Sequence, residues 1–423
     1  MKNFKRFLAL IAVVVFAVGA LAGCGSSEDS NTATTANSGE ESTEAAAEAT
    51  TDIVAGLICL HDENSTYDLN FINAFKEACE AIGLVQGETY FIKTGIPEGQ
   101  ECYEAAADLV EDYGCNYVFA DSFGHEDYMI QAAKEFPDVQ FCHATGTKAH
   151  TEGLDNYHNA FAAIYNGRYL AGVAAGMKLN EMIDAGEITA DEAKMVYVGA
   201  FTYAEVISGY TAFYLGAKSV CPTVTMDVTF TGSWYDETLE KEGANTLISK
   251  GCKLISQHAD SYGAPSACEA AGVPNVSYNG STISVGPNTF IVSSRINWAP
   301  YYSYCFEIMQ KGEAIPADWV GDLSNGSVEL TDINEDVAAE GTAAKLEEVK
   351  AQLEDGTLQV FDTTTFTVDG KEVTTYMADV DTDANYEGDT EAIENGHFQE
   401  SIYRSAPYFN LEIDGINLLD SAF

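Results

Sequence analysis

Basic residues are scarce in this sequence. Lysine and arginine together number 20, against 66 aspartate and glutamate residues, so the net charge is −46 over 423 residues. Such a chain repels polyanions, which excludes nucleic acid and the anionic face of a membrane as direct partners. The hydrophobic content of 46% excludes wholesale disorder. The length gives room for two domains, each with a full core.

Catalytic and metal-binding motifs are also missing. The sequence has no Gly-x-Ser-x-Gly, no phosphate-binding glycine-rich loop and no His-Glu-x-x-His. No two cysteines have Cys-x-x-Cys spacing, and the histidines do not cluster with them, so we expect no metal and no cofactor. The abundant carboxylates leave a paired-carboxylate hydrolase open as an alternative on composition alone. We predict a protein that is not an enzyme.

Long apolar runs are confined to the N-terminus. Three basic residues precede the apolar run 7–21, which is too short for a comfortable membrane span and ends in Leu-Ala-Gly-Cys at residues 21–24. This ending resembles the lipobox of bacterial lipoproteins, in which the cysteine becomes the lipidated first residue. We therefore predict a signal peptide over residues 1–23 and a disordered acidic tether over residues 24–51. A lipid on Cys24 would hold the protein at the extracytoplasmic face of a bacterial cell membrane.

The remaining cysteines number nine once Cys24 is set apart, so complete pairing within the chain is impossible. Most of them fall in apolar strands or on helix faces, where a thiol behaves as a small hydrophobic side chain. We expect buried, free thiols at these positions.

The stretch from Ile53 to Leu84 indicates the fold class. Residues 53–60 are apolar throughout, which is typical of a strand buried on both faces of a parallel sheet. A polar loop follows, and from Asn70 apolar residues recur at helical spacing. Because the loop after the first strand of an open α/β sheet usually borders the ligand crevice, Tyr67 and Asn70 are candidate ligand contacts.

Strand and helix patterns continue to alternate with short loops, which is typical of parallel βαβ units. The pattern restarts near Lys194, so we predict an N-terminal α/β lobe over residues 52–165 and, over residues 166–330, a crossover helix and a C-terminal α/β lobe. A helix rich in small residues is predicted over residues 159–177, where it packs closely. A cleft between the two lobes is the expected site for a small molecule.

The regular alternation of strand and helix patterns ends before Thr331. We predict a C-terminal extension over residues 331–423, with a helix within residues 335–353. A hairpin is predicted around Asp369-Gly370, which is a strong turn signal between alternating segments.

Five short stretches of the two lobes resemble one known family. Together they resemble the basic membrane protein family of lipoproteins, which are substrate-binding proteins of ABC transporters and include purine nucleoside receptors. The resemblance extends from about residue 53 to residue 330. The stretches are Phe119-Ala120-Asp121-Ser122-Phe123-Gly124, Ser208-Gly209-Tyr210-Thr211-Ala212-Phe213-Tyr214-Leu215-Gly216-Ala217, Gly232-Ser233-Trp234-Tyr235-Asp236, Gln257-His258-Ala259-Asp260-Ser261 and Asn297-Trp298-Ala299-Pro300-Tyr301-Tyr302.

The resemblance implies a type I periplasmic-binding-protein fold, in which two lobes close on the ligand about a hinge. It also implies purine bases stacked between aromatic side chains and ribose hydroxyls held by carboxylates. Phe123 is the candidate stacking platform, with a core aromatic as the alternative. Asp127 is a candidate for ribose, although it is equally an ordinary first-turn carboxylate. The first loop departs from the Asp-x-Ser-Phe-Asn pattern of the family at Tyr67 and Asn70.

The second half of the chain supplies the other candidates, and most of them lie in loops that follow strands. Packing is an equal alternative for the two tryptophans among them. Arg295 matches a basic position of the nucleoside receptors only with a shift of one residue, so we leave it out. The candidates are Tyr203, Trp234, Asp260, Asn279 and Trp298.

The predicted function is therefore capture without chemistry. The ligand would be a purine nucleoside or nucleobase, and the closed receptor would dock on an ABC permease in the membrane. A receptor of the same fold for a sugar or another small solute is the alternative. A surface lipoprotein that senses or adheres is the alternative from another class, because the role of the C-terminal extension is open.

Overall fold

Short apolar segments of the chain form two separate, mostly parallel sheets. The computed structural model describes residues 52–380, 388 and 390–423. The predicted signal peptide, the tether and Cys24 lie outside these residues. The strands are β1 (Ala55–Ile58), β2 (Tyr90–Lys93), β3 (Tyr117–Ala120), β4 (Gln140–Ala144), β5 (Tyr157–Ala162), β6 (Lys194–Gly199), β7 (Thr225–Phe230), β8 (Leu254–Gln257), β9 (Asn275–Tyr278), β10 (Phe290–Ile296), β11 (Asp318–Gly321), β12 (Val328–Leu330), β13 (Met377–Ala378), β14 (Thr390–Glu391), β15 (Ile393–Glu394), β16 (His397–Phe398) and β17 (Ile416–Leu418).

Helices connect most of the strands and cover the faces of the sheets. None of them, within the part of the chain that the structure describes, is both long and apolar enough to cross a bilayer. The helices are α1 (Thr66–Ala81), α2 (Gln100–Glu111), α3 (Glu126–Glu135), α4 (Ala149–Glu152), α5 (Ile164–Asp184), α6 (Ala204–Val220), α7 (Glu237–Ser249), α8 (Gly263–Ala271), α9 (Ala299–Lys311) and α10 (Thr342–Glu354).

The first sheet has the order β11-β5-β4-β3-β1-β2, and all of its neighbouring strands are parallel. The second has the order β12-β10-β9-β8-β6-β7-β17, in which only β12 is antiparallel to its neighbour. Strands β1 and β3 are buried at every residue, as their continuous apolar sequences predict. Two lobes of a type I periplasmic-binding-protein fold are thereby present.

Sheet membership differs from the predicted lobe boundaries at two places. Strand β11 falls within residues 166–330 but pairs with β5 at the edge of the first sheet. Strand β17, within the predicted C-terminal extension, adds to the second sheet beside β7. The chain therefore returns to each lobe after first leaving it. The predicted boundaries divide the sequence into consecutive blocks and so do not include these returns.

The helix predicted over residues 159–177 begins later than expected. Residues Tyr157–Ala162 form strand β5, and α5 begins at Ile164. A short run of small and aromatic residues fits the period of a helix as well as that of a strand. This segment forms a strand because it pairs with β4 and β11. The helix predicted within residues 335–353 is α10, which starts only after Gly341.

The predicted turn at Asp369-Gly370 is present. Both residues have positive φ angles, 52° and 72°, and Val368 and Lys371 exchange backbone hydrogen bonds across the turn. Those φ angles are the ones that a type I′ hairpin turn requires. The flanking segments form only this isolated bridge, so the turn does not lead into two full strands.

Helices α5 and α6 pack with unusually close backbones. A Cβ atom on Gly172 would lie 2.0 Å from the carbonyl oxygen of Phe213, and a Cβ on Gly216 would lie 2.0 Å from that of Tyr169. Only glycine allows this approach, which accounts for the small residues seen in the sequence of α5. Because α5 joins β5 of the first sheet to β6 of the second, this contact fixes one of the connections between the lobes.

The C-terminal part of the chain has its own buried carboxylate. One oxygen of Glu400 accepts hydrogen bonds from the backbone N–H groups of Tyr408 and Phe409, at 3.2 and 2.9 Å, while the other is buried without a hydrogen-bond partner among the described residues. Burial raises the pKa of Glu400 to about 7. The carboxyl therefore takes up a proton well above the pH at which an exposed glutamate would.

We expect the contribution of Glu400 to the free energy of unfolding to fall as the pH rises from 5 to 7. The folded state holds the Glu400 proton until about pH 7 and the unfolded state releases it near pH 4.5, so ionisation favours unfolding in that range. Glu400→Gln should remove this contribution and so make the slope of the unfolding free energy against pH more positive by up to about 1.4 kcal/mol per pH unit. Urea titrations at pH 5, 6 and 7 measure it. Glu394→Gln, an exposed carboxyl in the same segment, is the control, and an equal change in both variants would contradict the assignment.

All nine cysteines between Cys59 and Cys305 are buried and free, as the sequence predicts. They pack with the apolar residues of the two lobes, most of them fully enclosed. The described part of the chain is therefore held together by packing and hydrogen bonds, without disulfides.

Candidate ligand-binding cleft

A cavity lies between the two sheets, at the carboxyl ends of their strands. The first lobe supplies residues that follow β1, β3 and β4 and residues of the first turn of α1. The second lobe supplies residues that follow β6, β7 and β8. The lining residues are Leu60, His61, Tyr67, Asp68, Ser122, Phe123, Thr145, Glu205, Trp234, His258 and Asp260.

Aromatic rings form one side of the cleft. The ring of Phe123 is 42% exposed and stacks on Tyr203 of the other lobe, with centroids 5.2 Å apart and planes 27° apart. Tyr203 in turn stacks on Phe201 at 5.2 Å, and Trp234 lies 6.1 Å from Tyr203. Rings from both lobes thus offer flat apolar faces, which suit a planar ligand.

Carboxylates also line the cleft. Asp68 and Asp260 are almost fully buried, at 1% and 4% exposure, and Glu205 lies beside them in the cavity wall. Burial, reinforced by the nearby carboxylates of Asp68, Glu240 and Glu205, raises the pKa of Asp260 well above its usual range. A ligand that donates hydrogen bonds here would relieve this accumulation of negative charge.

Asp68 is held in its ionised form by its own loop. Burial opposes its ionisation, but three interactions outweigh it and lower the pKa. They come from the His61 imidazole, at 3.5 Å, the Ser65 hydroxyl, at 2.6 Å, and the His61 backbone N–H, at 2.7 Å. Ser65 also caps α1, because its side chain accepts from the backbone N–H of Asp68. The cap therefore fixes the position of a cleft carboxylate.

A buried chain of hydrogen bonds leads from Glu205 to the helix between the lobes. Nε2 of His258 lies 2.8 Å from the Glu205 carboxylate, and its Nδ1 lies 3.1 Å from the hydroxyl of Tyr197. Arg168 of α5, fully buried, donates to the same hydroxyl. Tyr197 therefore lies between the Arg168 guanidinium and Nδ1 of His258. The chain thus orients Glu205 towards the cleft.

Cys59, Asp68 and Asp121 form a group of three potential metal ligands, each with one ligand atom within 4.8 Å of the others. Metal ligands of these types must be deprotonated. Burial raises the pKa of the Cys59 thiol and of the Asp121 carboxyl, so both hold their protons. The expectation of no metal stays a prediction.

The structure brings several sequence-predicted residues together. Tyr67, Phe123, Trp234 and Asp260 line the cleft itself. Tyr203 lines an adjoining cavity that shares Phe123 and Trp234 with the cleft. The hydroxyl of Tyr67 donates to the backbone oxygen of Asp121 at 2.8 Å, which holds its ring against the cavity.

The other candidates lie elsewhere. Asn70 and Asn279 line a separate groove, where Asn279, at a φ angle of 66°, donates from Nδ2 to the carboxylate of Asp260 at 3.2 Å. The side chain of Asp127 is 71% exposed and pairs with Lys148, outside the residues that line the cleft. Trp298 is 1% exposed and stacks on Phe71 at 4.5 Å, which makes it a core residue.

Sequence reasoning missed several residues of the cleft. Glu205 and Asp68 are single carboxylates among 66 acidic residues, and composition gives no reason to select them. Asp68 directly follows the candidate Tyr67, and Glu205 lies two positions after the candidate Tyr203. That proximity in sequence was the signal that could have identified them. His258 directly follows strand β8, in a stretch already identified for its resemblance, but its two hydrogen-bond partners come from distant segments.

The two lobes are in direct contact in this structure. The backbone N–H and the hydroxyl of Thr66 donate to the backbone oxygen of Asp260, at 3.0 and 3.2 Å, and the rings of His61 and Tyr235 lie 5.4 Å apart. The cleft between them retains about 30 Å³, which is room for one or two water molecules. A ligand larger than that enters only when the lobes separate.

The sequence family described as "ABC transporter substrate-binding protein PnrA-like" matches residues 56–362. A purine-binding protein of Brucella abortus is 34% identical over 229 residues, which cover 54% of this chain and 60% of that protein. A putative ABC transporter glucose-binding protein of Haloferax volcanii is 33% identical over 212 residues, covering 50% of this chain and 49% of the relative. The chain thus spans about half to three fifths of the length of these relatives.

A solved structure supports the fold assignment. The ABC transporter solute-binding protein of Aeropyrum pernix superposes with a TM-score of 0.60 at 16% identity, over 73% of this chain and 93% of the other. The similarity covers the two lobes at a level of identity that carries the fold and not the ligand.

Proposed function

The chain belongs to the family of PnrA-like ABC transporter substrate-binding proteins, and from that membership we propose that it captures a purine nucleoside or nucleobase for an importer. The observation that carries this proposal is the pairing of exposed aromatic faces, at Phe123 and Trp234, with the buried carboxylates Asp68 and Asp260 in one interlobe cleft. A base offers a flat face to the rings. Its N–H groups offer donors to the carboxylates.

A sugar is the second candidate ligand, because the Haloferax volcanii relative carries a glucose-binding name. Aromatic faces and carboxylates also suit a hydroxylated ring. The stacking at Phe123 favours the flatter ligand, since a base would replace the contact that the ring makes with Tyr203 in the closed form.

The protein is further proposed to work at the extracytoplasmic face of the cell membrane. A lipid on Cys24 and an acidic tether would keep it near an ABC permease, which would recognise the closed lobes. Ligand would favour the closed form through its higher affinity for that form.

Mass spectrometry of the small molecules released when the purified protein is denatured tests the proposal. Thermal shifts with adenosine, guanosine, adenine and glucose follow. Release of a purine, together with a stabilisation that grows with purine concentration, is the expected result. Stabilisation by glucose alone would replace the purine with a sugar. No release and no shift with any of the four would contradict the receptor function.

Phe123→Ala is expected to weaken purine binding by roughly 5- to 150-fold, because stacking on an aromatic ring contributes about 1–3 kcal/mol per base. The ring is 42% exposed, so the melting temperature of the unliganded protein should change little. Isothermal titration calorimetry and a thermal melt measure the two effects. Tyr113→Ala, an aromatic of similar exposure far from the cleft, is the matched control. A large loss of unliganded stability in Phe123→Ala would identify Phe123 as a core residue.

A further inference from the structure

A second, larger cavity adjoins the cleft on its outer side. Its volume is about 340 Å³, and it shares Phe123, Thr145, Glu205 and Trp234 with the cleft. The remaining wall comes largely from the part of the chain beyond residue 362, where the match to the family ends. The residues from that part are Asp379, Arg404, Ala406, Pro407, Asn410 and Phe423. We call this space the outer compartment.

The segment that forms this wall is attached to both lobes. The backbone N–H of Ser405 donates to both carboxylate oxygens of Asp318 in β11, at 3.0 Å each, at the edge of the first sheet. On the second lobe, the Asp420 carboxylate accepts from the Thr229 hydroxyl at 2.6 Å and from the Phe230 backbone N–H at 2.7 Å. This segment is therefore held in position by hydrogen bonds to both lobes.

Two polar side chains of this wall are set for recognition. Oδ1 of Asp379 is buried and accepts no hydrogen bond from any described residue, which is costly unless a ligand or water donates to it. The Arg404 guanidinium is held by bonds from Nε to the Ala406 oxygen and from Nη2 to the Pro407 oxygen, at 3.2 and 3.3 Å. These two bonds use two of its five N–H donors.

The outer compartment has no excess of positive charge. Two cationic side chains, Lys148 and Arg404, line it together with two carboxylates, Glu205 and Asp379, and Lys148 also pairs with Asp127. A phosphate would meet those carboxylates in a protein of net charge −46, so an anionic group is disfavoured. A hydroxyl suits the wall better, because it can donate to Asp379 and accept from Arg404.

We propose that the outer compartment is a subsite for a neutral, hydroxyl-bearing part of the ligand, with Asp379 as the hydrogen-bond acceptor for one hydroxyl. This inference rests on the proposed function, and it assigns to a nucleoside a place for its sugar outside the aromatic rings that hold the base. The subsite is built by a segment that lies outside the family match, so family membership does not predict it.

Calorimetric titration of wild type and Asp379→Asn with adenosine and its 2′-, 3′- and 5′-deoxy analogues tests the proposal. Asp379→Asn should weaken adenosine binding by about tenfold, as expected for one hydrogen bond to a charged group. The same substitution should have no effect on the one analogue that lacks the contacted hydroxyl. Asp420→Asn is the control, since Asp420 anchors the same segment but does not line the outer compartment. It should lower the melting temperature, and any loss of affinity should be equal for all four ligands.

The outcomes separate this inference from the proposed function. Equal losses for all four ligands in Asp379→Asn, or no loss for any, would overturn the subsite and leave nucleoside capture in place. Failure of the wild-type protein to bind adenosine, guanosine or any of the analogues would overturn nucleoside capture, and the subsite with it. A thermal melt of Asp379→Asn confirms that the variant is folded.

Discussion

Replacing Asp260 with asparagine is expected to weaken ligand binding by roughly 10- to 150-fold, the range of about 1.5–3 kcal/mol that hydrogen bonds to a charged group contribute. The asparagine keeps the size of the side chain, but it cannot ionise to become a charged acceptor for the ligand, and one of its two oxygens is replaced by a donor. A donor placed against the N–H or O–H groups of the ligand opposes binding. Isothermal titration calorimetry with the ligand found by mass spectrometry measures the effect.

The same substitution should leave the unliganded protein as stable as before, or more stable. Burial and the surrounding carboxylates raise the pKa of Asp260, so the charged form of this side chain is a cost to the folded state. Loss of binding with retained or increased melting temperature is a pattern typical of residues kept for function. A marked fall in melting temperature would mean that Asp260 serves the fold.

Asp127→Asn is the matched control for Asp260→Asn. The two substitutions are chemically identical, but the side chain of Asp127 is 71% exposed and pairs with Lys148 outside the cleft. We expect ligand affinity to be unchanged in this variant. A loss comparable to that of Asp260→Asn would restore Asp127 to the list of ligand contacts and contradict the geometry of the cleft.

Gly172→Ala is expected to destabilise the protein by about 3 kcal/mol or more. The new Cβ would lie 2.0 Å from the backbone oxygen of Phe213, a neighbour that cannot rotate away as a side chain can. Helices α5 and α6 would have to separate, and the contacts along both would weaken. A fall in melting temperature of roughly 4 °C or more, measured by calorimetry, is the expected result.

Gly243→Ala is expected to change the stability of the protein in the opposite direction. Gly243 also lies within a helix, α7, but its Cβ would meet only the Thr229 methyl group at 4.0 Å. Alanine there should stabilise the protein by up to about 1 kcal/mol through its helix propensity. If both variants lose stability alike, helix packing at Gly172 is not the reason.

Strands buried on both faces were predictable from the sequence, because each must be apolar throughout. Strands β1 and β3 are examples, and the turns that follow them were identified for the same reason. Strand β5 was not, since Ala, Phe and Asn in short alternation fit a helix as well as a strand. Its identity is decided by two partners, one of which, β11, comes about 160 residues later in the chain.

The cleft was predictable in outline, because loops after parallel strands meet at one edge of a sheet. Individual residues were harder to place. Trp298 and Trp234 have the same chemistry and similar surroundings in sequence, yet one packs in the core and the other lines the cavity. The direction in which a side chain points depends on the packing of distant elements, and no local pattern contains that information.

The nine buried thiols give the protein a built-in set of reporters of opening. Burial raises the pKa of Cys115, in the first lobe, and of Cys252, in the second, to about 12, so neither presents a thiolate to an alkylating reagent while its lobe is folded. Each becomes reactive when its own surroundings loosen. Time-resolved maleimide labelling followed by peptide mapping would therefore rank the lobes by local stability, with no label introduced into the chain.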